Sequence, residues 1–149
     1  MSDFTWHIPD PQTQPEFYAD VALKRLLAWG IDTVVIVVLC LLILPFTAFT
    51  GLFFFPLLML AVGIPYRVLT IAQGSATWGM RLMAIEFRSL RGERFDLAMA
   101  IGHTLTFTAC SAIFPVQLVS MALIASTARA QGLPDFVVGS VALNRRAAA

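Results

Sequence analysis

Two long stretches of this chain carry no charge at all. No Asp, Glu, Lys or Arg occurs from Thr33 to Tyr66, or again from Leu97 to Ala128. The first stretch belongs to two apolar runs, one from about Ala22 to Leu44 and one from about Leu52 to Ala72, separated by Pro45, Thr47, Thr50 and Gly51. Each run is long enough, at ~1.5 Å per helical residue, to cover a hydrocarbon core of ~30 Å. Their short uncharged link predicts an antiparallel helical hairpin. Pro56 and Pro65 lie inside the second run, where a transmembrane helix tolerates them better than a soluble one does.

Residues 74–96 follow a different pattern and read as a surface loop. Ala84-Ile85-Glu86-Phe87-Arg88 alternates apolar and polar, the period of a half-buried strand. Leu90-Arg91-Gly92-Glu93 supplies a glycine turn, so Arg94-Phe95-Asp96 is expected to return as the second strand of a small β-hairpin. Met80-Arg81-Leu82-Met83 reads as an interfacial amphipathic element just before it.

The third apolar segment, Leu97 to about Ala128, is long for one crossing and holds Pro115 near its middle. As one helix its 32 residues would make about 48 Å. Beyond Gly132-Leu133-Pro134-Asp135, the run Phe136 to Leu143 is too short to span and reads as a strand. The expected architecture is an all-α membrane protein of three to four transmembrane or re-entrant helices with a small cytoplasmic β-hairpin. It divides into an extended N-terminal arm (1–20), a membrane domain (21–144) and a tail (145–149).

Composition sharpens this picture. Of 149 residues, 58% are hydrophobic and 13% charged, against about a quarter charged in an ordinary soluble domain. A net charge of +1 gives no steering toward phosphate, so nucleic acid is excluded as a partner and the lipid bilayer takes its place. The start is acidic and proline-rich (Asp3, Asp10, Glu16, Asp20; Pro9, Pro11, Pro15) and lacks the basic-then-apolar order of a secretory signal. We read it as an uncleaved cytoplasmic arm whose Phe4, Trp6, Ile8, Phe17 and Tyr18 are available to the headgroups or to a partner.

Basic residues favour the cytoplasmic side. Lys24 and Arg25, the 74–96 loop, and the Arg129, Arg145 and Arg146 tail all carry them, while the 45–51 link has none. The N-terminus and central loop are therefore expected inside and the link outside. A single crossing by the third segment would put the basic tail outside. A hairpin broken near Phe114-Pro115 would bring it back, and would let the last strand pair with the 84–88 strand. We favour the broken hairpin.

Three groups of residues stand out chemically. Arg25 and Asp32 are seven residues apart on one helix face, and a carboxylate at membrane depth calls for a partner. Measured from a hairpin apex near residue 48, Arg67 lies within about 4.5 Å of the height of Asp32, so Arg67 is the expected partner and Arg25 the second choice. The plainer role for such a cluster is a static ion pair; the functional one is an ion- or proton-linked site. His103, Thr106 and Cys110, at helical spacing on the third segment with Thr104, Thr108 and Ser111 alongside, could line a polar path, although Ser and Thr in such helices more often bond their own backbone or a neighbour. Cys40 and Cys110 read as small hydrophobes rather than a disulfide. His7 and His103 are isolated, and no metal spacing, nucleophile–base pair or nucleotide loop is present. The chain is expected to be neither an enzyme nor a cofactor or metal protein.

Three motifs carry a family resemblance. Lys24-Arg25-Leu26-Leu27-Ala28-Trp29-Gly30-Ile31-Asp32 resembles the opening helix of the RDD family of small bacterial inner-membrane proteins, named for one arginine and two aspartates. Thr77-Trp78-Gly79-Met80-Arg81-Leu82 is similar to its Thr-x-Gly-Lys-Arg-Leu signature, with Met80 at the lysine. Asp135-Phe136-Val137-Val138-Gly139-Ser140-Val141 resembles its Asp-x-x-x-Gly-Thr-x-Val element, which makes Asp135 the second aspartate. The resemblance covers about residues 17–144. It implies a multi-pass inner-membrane protein of largely unassigned biochemistry, often linked to transport. Two roles follow as expectations: a transport-type protein acting as a homo-oligomer, or an accessory or assembly subunit of a larger membrane complex.

Overall fold

The computed structural model describes residues 8–145. Phe4, Trp6, His7 and Arg146, named above, lie outside the described residues. Helix α1 runs from Val21 to Ile43 and α2 from Phe55 to Gly74. Their 23 and 20 residues give about 34 and 30 Å of helix. Both are long and apolar enough to cross a membrane. Between them, short 3₁₀ turns at Leu44–Thr47 and Thr50–Leu52 flank Ala48 and Phe49 in left-handed conformations, and the chain reverses.

The inward face of α1 is set by a four-residue step. Ala28, Asp32, Ile36, Cys40 and Leu44 are all buried, and positions four apart share a helix face. Against Ile36 and Cys40 packs Tyr66 of α2, with Val62, Leu58 and Met59 alongside. Cys40 and Cys110 are both free thiols. Pro56 opens α2 in its first turn, where a missing N–H costs nothing, and Pro65 is carried inside the helix.

The third segment breaks where Pro115 suggested. Helix α4 (Leu97–Ala112) ends at Ile113, whose extended backbone redirects the chain, and α5 (Phe114–Ser126) starts with Pro115 in its first turn. The two helices are bent by 119°, the shape of a broken span or a re-entrant loop. Helix α2 packs against both α1 and α4, so it forms the floor of the bundle, and α5 folds back over α4.

Strand β1 (Ile85–Ser89) does not form the local hairpin expected from the Gly92 turn. It pairs antiparallel with β2 (Ser140–Asn144), in the register Ile85↔Asn144, Phe87↔Ala142 and Ser89↔Ser140. The stretch Arg94-Phe95-Asp96 has other work. Asp96 caps α4 by accepting from the Met99 N–H, and the Phe95 N–H donates to Ser75 Oγ in the core. A further correction concerns the 136–143 run. Its first half belongs to a short helix, α6 (Leu133–Val138), opened by Pro134 and stopped by Gly139 at φ 74°. Only the second half is strand.

A two-stranded ribbon is marginal by itself, and here both faces are covered. One face gives Ile85, Phe87 and Ala142 to a core shared with Ala28 of α1, Ile71 of α2 and Ala100 of α4. The other gives Val141 and Leu143 to Ile8 and Tyr18 of the arm. From residue 8 onward, then, the arm is not extended. It turns, donates the Tyr18 hydroxyl to the Pro9 carbonyl and closes over the ribbon. Lys24 Nζ reaches Asn144 Oδ1 at 2.6 Å, so the start of α1 and the end of the chain share one layer at one end of the helices.

The 78–82 stretch is the short helix α3 (Trp78–Leu82), capped by Thr77 and packed on α1. Met80 on it is buried, whereas Trp78 and Leu82 face outward. Arg81 reaches back to the carbonyls of Thr70 and Ala76 and caps the C-terminal end of α2, where a cation suits the helix dipole.

Candidate functional site

Two buried carboxylates organise the junction between the helices and the surface layer. Asp32, midway along α1, is 1% exposed. Its Oδ1 accepts from the Tyr66 hydroxyl at 2.7 Å and from the Gly79 N–H at 2.9 Å, and its Oδ2 accepts from the Thr77 hydroxyl at 2.5 Å. Arg67 Nη1 stands 4.0 Å from Oδ2, at the outer limit of an ion pair. The expected Asp32–Arg67 pair is thus the loosest of the four contacts, and neutral donors do most of the holding. Thr77 serves twice, because its hydroxyl also accepts the Met80 N–H at the start of α3. Gly79 must be glycine here: a Cβ would run into the Ala28 carbonyl and crowd the Asp32 carboxyl. The Thr-x-Gly motif is the cradle of the first aspartate.

Asp135 is completely buried. Its Oδ2 accepts from Arg25 Nη1 at 2.5 Å and from the Gly132 N–H at 2.8 Å, and its Oδ1 accepts from the Ser140 hydroxyl at 2.9 Å and lies 3.0 Å from His103 Nε2. One side chain therefore ties together α1, α4, the start of α6 and the head of β2. Burial pushes the Asp135 carboxyl up, but the Arg25 guanidinium and the His103 contact outweigh it and hold the group well below the usual carboxylate range. Arg25 also donates to the Ala130 carbonyl at 2.9 Å and lies over the Phe87 ring.

Arg25 is accordingly not a partner of Asp32. A helix-face argument sees only residues on the same helix, and the true partner arrives 110 residues later. His103 has the carboxylate that its own neighbourhood in sequence did not supply. Thr106 bonds the Gly102 carbonyl of its own helix, and Cys110 stands apart, so His103, Thr106 and Cys110 do not form a path. The cavity-facing side of α4 carries His103 with Thr104, Phe107, Thr108 and Ser111, and not Thr106 or Cys110. Tyr66 escaped sequence reading; its position beside Arg67 was the available signal.

Beside Asp32 lies a cavity of about 60 Å³ whose polar lining residues are Arg25, Asp32, Arg67, Thr77, His103 and Thr104, with apolar side chains between them. That is room for a few waters or a small ion. The Thr104 hydroxyl on its wall is buried and has no hydrogen-bond partner among the described residues. No group of three His, Cys, Asp or Glu among the described residues could hold a metal ion.

Apolar helices of spanning length, capped at one end by a small mixed layer and joined to it through buried Arg–Asp contacts, fit an integral membrane protein. The sequence pattern of the RDD family matches residues 20–139, most of the chain including Arg25, Asp32 and Asp135, and the protein belongs to that family. No curated protein matches the chain, and no solved structure does.

Proposed function

We propose that the protein is a multi-pass inner-membrane protein with its N-terminus in the cytoplasm, and that as an oligomer it moves a small ion or proton past Asp32 and Arg67. The observation that carries this reading is the unequal treatment of the carboxylates. Asp135 is saturated, while Asp32 has a loose cation at 4.0 Å and a small cavity beside it whose wall mixes polar and apolar side chains. Charged groups at membrane depth are costly and usually serve a pathway. A chain with two or three spans is small for a complete route, which is why self-association is part of the proposal. Purified protein in proteoliposomes tests it. The wild type should show pH-coupled ion flux, and Asp32→Asn should stay folded and lose that flux. A well-folded wild type without flux would sink the idea.

The second reading, an accessory subunit, draws on the far end of the hairpin. There Phe46, Phe49, Phe53 and Phe54 are all exposed in an uncharged cap, a surface suited to another apolar segment. Under this reading, affinity purification in mild detergent brings down one stoichiometric membrane partner. Recovery of homo-oligomers alone favours the first reading.

A further inference from the structure

Arg67 sits at a junction between two spaces. On one side is the 60 Å³ cavity with the Thr104 hydroxyl, unpartnered among the described residues, on its wall. On the other is an open groove of about 410 Å³, floored by α2 and walled by α1 and α4, with Ile36, Met59, Leu60, Ile64 and Phe107 among its lining residues. Trp29, Arg67 and Phe107 belong to both. The groove follows α2 from Arg67 to Pro56, about 16 Å.

The Arg67 guanidinium is poorly used for so buried a group. It lies over the Phe107 ring at 4.7 Å and approaches Asp32 at 4.0 Å, and it donates no hydrogen bond among the described residues. Asp32 meanwhile is satisfied by three shorter donors. A planar cation with spare donors recognises a carboxylate in a two-pronged manner. An apolar trough leading away from it suits a hydrocarbon chain.

We propose that the cavity and groove together form a binding site for a long-chain carboxylate. Its acid group meets Arg67 and the Thr104 hydroxyl, and its single chain lies along α2 toward Pro56. The size argues for one chain: 410 Å³ is near the lower end of small-molecule pockets, about 300–1,000 Å³, and the head cavity has no space for a glycerophosphate. The orientation agrees with the fold, since Arg67 lies toward the charged layer and the groove runs toward the uncharged end. The site shares Arg67 and the small cavity with the proposed ion route, but binding of the acid does not require ion movement and is read separately from it.

Trp29 gives a direct readout, because it lines both spaces. With Trp6 and Trp78 replaced by Phe, the remaining Trp29 is titrated in neutral detergent at alkaline pH with dibromostearate, its methyl ester, or a brominated phosphatidylglycerol. Bromine quenches only on close approach. The acid should quench saturably and bind about tenfold more tightly than the ester, the loss expected for one charge-assisted contact. Arg67→Gln should bring the acid down to the ester's affinity, and Ser111→Phe, which narrows the groove, should weaken both. Equal binding of acid and ester by the parent protein overturns the proposal, as does tighter binding of the phosphatidylglycerol. So does an Arg67→Gln protein that unfolds like the parent yet keeps full affinity for the acid. Should Arg67→Gln fail to fold, the acid–ester comparison on the parent protein decides.

Discussion

Asp32 and Asp135 are both buried aspartates next to an arginine, yet they are held in different ways. Asp135 has two charged or polarisable partners and two neutral ones, all at hydrogen-bond distance, drawn from four segments of the chain. Asp32 has three neutral donors close by and its arginine held off. The first arrangement immobilises everything around it. The second satisfies the carboxylate while leaving a guanidinium free to meet something else. A buried charge pair thus says little about role until the remaining donors around each partner are counted.

The comparison breaks most visibly at Asp135. Asp135→Ala leaves Arg25 buried without its counter-charge, and breaking a buried pair in this way costs about 3–5 kcal/mol. Thermal unfolding in detergent should show a large fall in Tm, well beyond that of Asp32→Asn, which keeps the side chain's shape. Next comes Gly79→Ala. The added methyl forces α3 away from the Ala28 carbonyl and should cost about 1–3 kcal/mol, seen as a lower Tm together with faster proteolysis around residues 74–84. Tyr66→Phe removes one hydrogen bond to a charged acceptor, a loss of about 1.5–3 kcal/mol before any relaxation toward Arg67. A loss as large as that of Asp135→Ala would show that the two centres are equally rigid.

Acid sharpens the same contrast. Because the Asp135 carboxyl is held below its unfolded value of about 3.9, its contribution is fully present above that pH and fades as pH falls toward the lower folded value. Acid unfolding followed below about pH 4 should therefore be flatter in Asp135→Asn than in the wild type. The smallest effect belongs to Thr104→Val. An unpartnered buried hydroxyl contributes nothing, so its replacement should leave Tm unchanged or slightly raised in lipid-free protein.

The spanning helices were legible because an uncharged run of the right length has few other readings, and the break near Pro115 followed from excess length plus one ring. The three family-like motifs contain Arg25, Asp32, Thr77, Gly79 and Asp135, which the structure places in two buried hydrogen-bonded networks. What they touch was not legible. Arg25 was judged by its own helix, where Asp32 is the obvious neighbour, but its reach is toward a segment folded back from the far end of the chain. The Gly92 turn suggested a local hairpin, because turn chemistry says where a chain can reverse and not whether Arg94-Phe95-Asp96 is needed elsewhere. The apolar run 136–143 hid a helical turn, since Pro134 and Gly139 fix its ends while its interior residues suit either form. On α4, His103, Thr104, Thr108 and Ser111 line the cavity and groove while Thr106 and Cys110 do not, and only packing against α2 decides that.

The pairing of Arg25 with Asp135 also has a clock in it. Synthesis runs from the N-terminus at about 5–20 residues per second, and 110 residues separate the two. For roughly 5–20 seconds the first hairpin exists while its arginine has no carboxylate to meet. Strand β1 waits about half as long for β2, and the arm longer still for the ribbon it covers. The closing of this fold is thus a late event, made by residues 133–144, and a ribosome that stalls before Asp135 leaves a chain with a bare cation and an open strand edge for quality control to find.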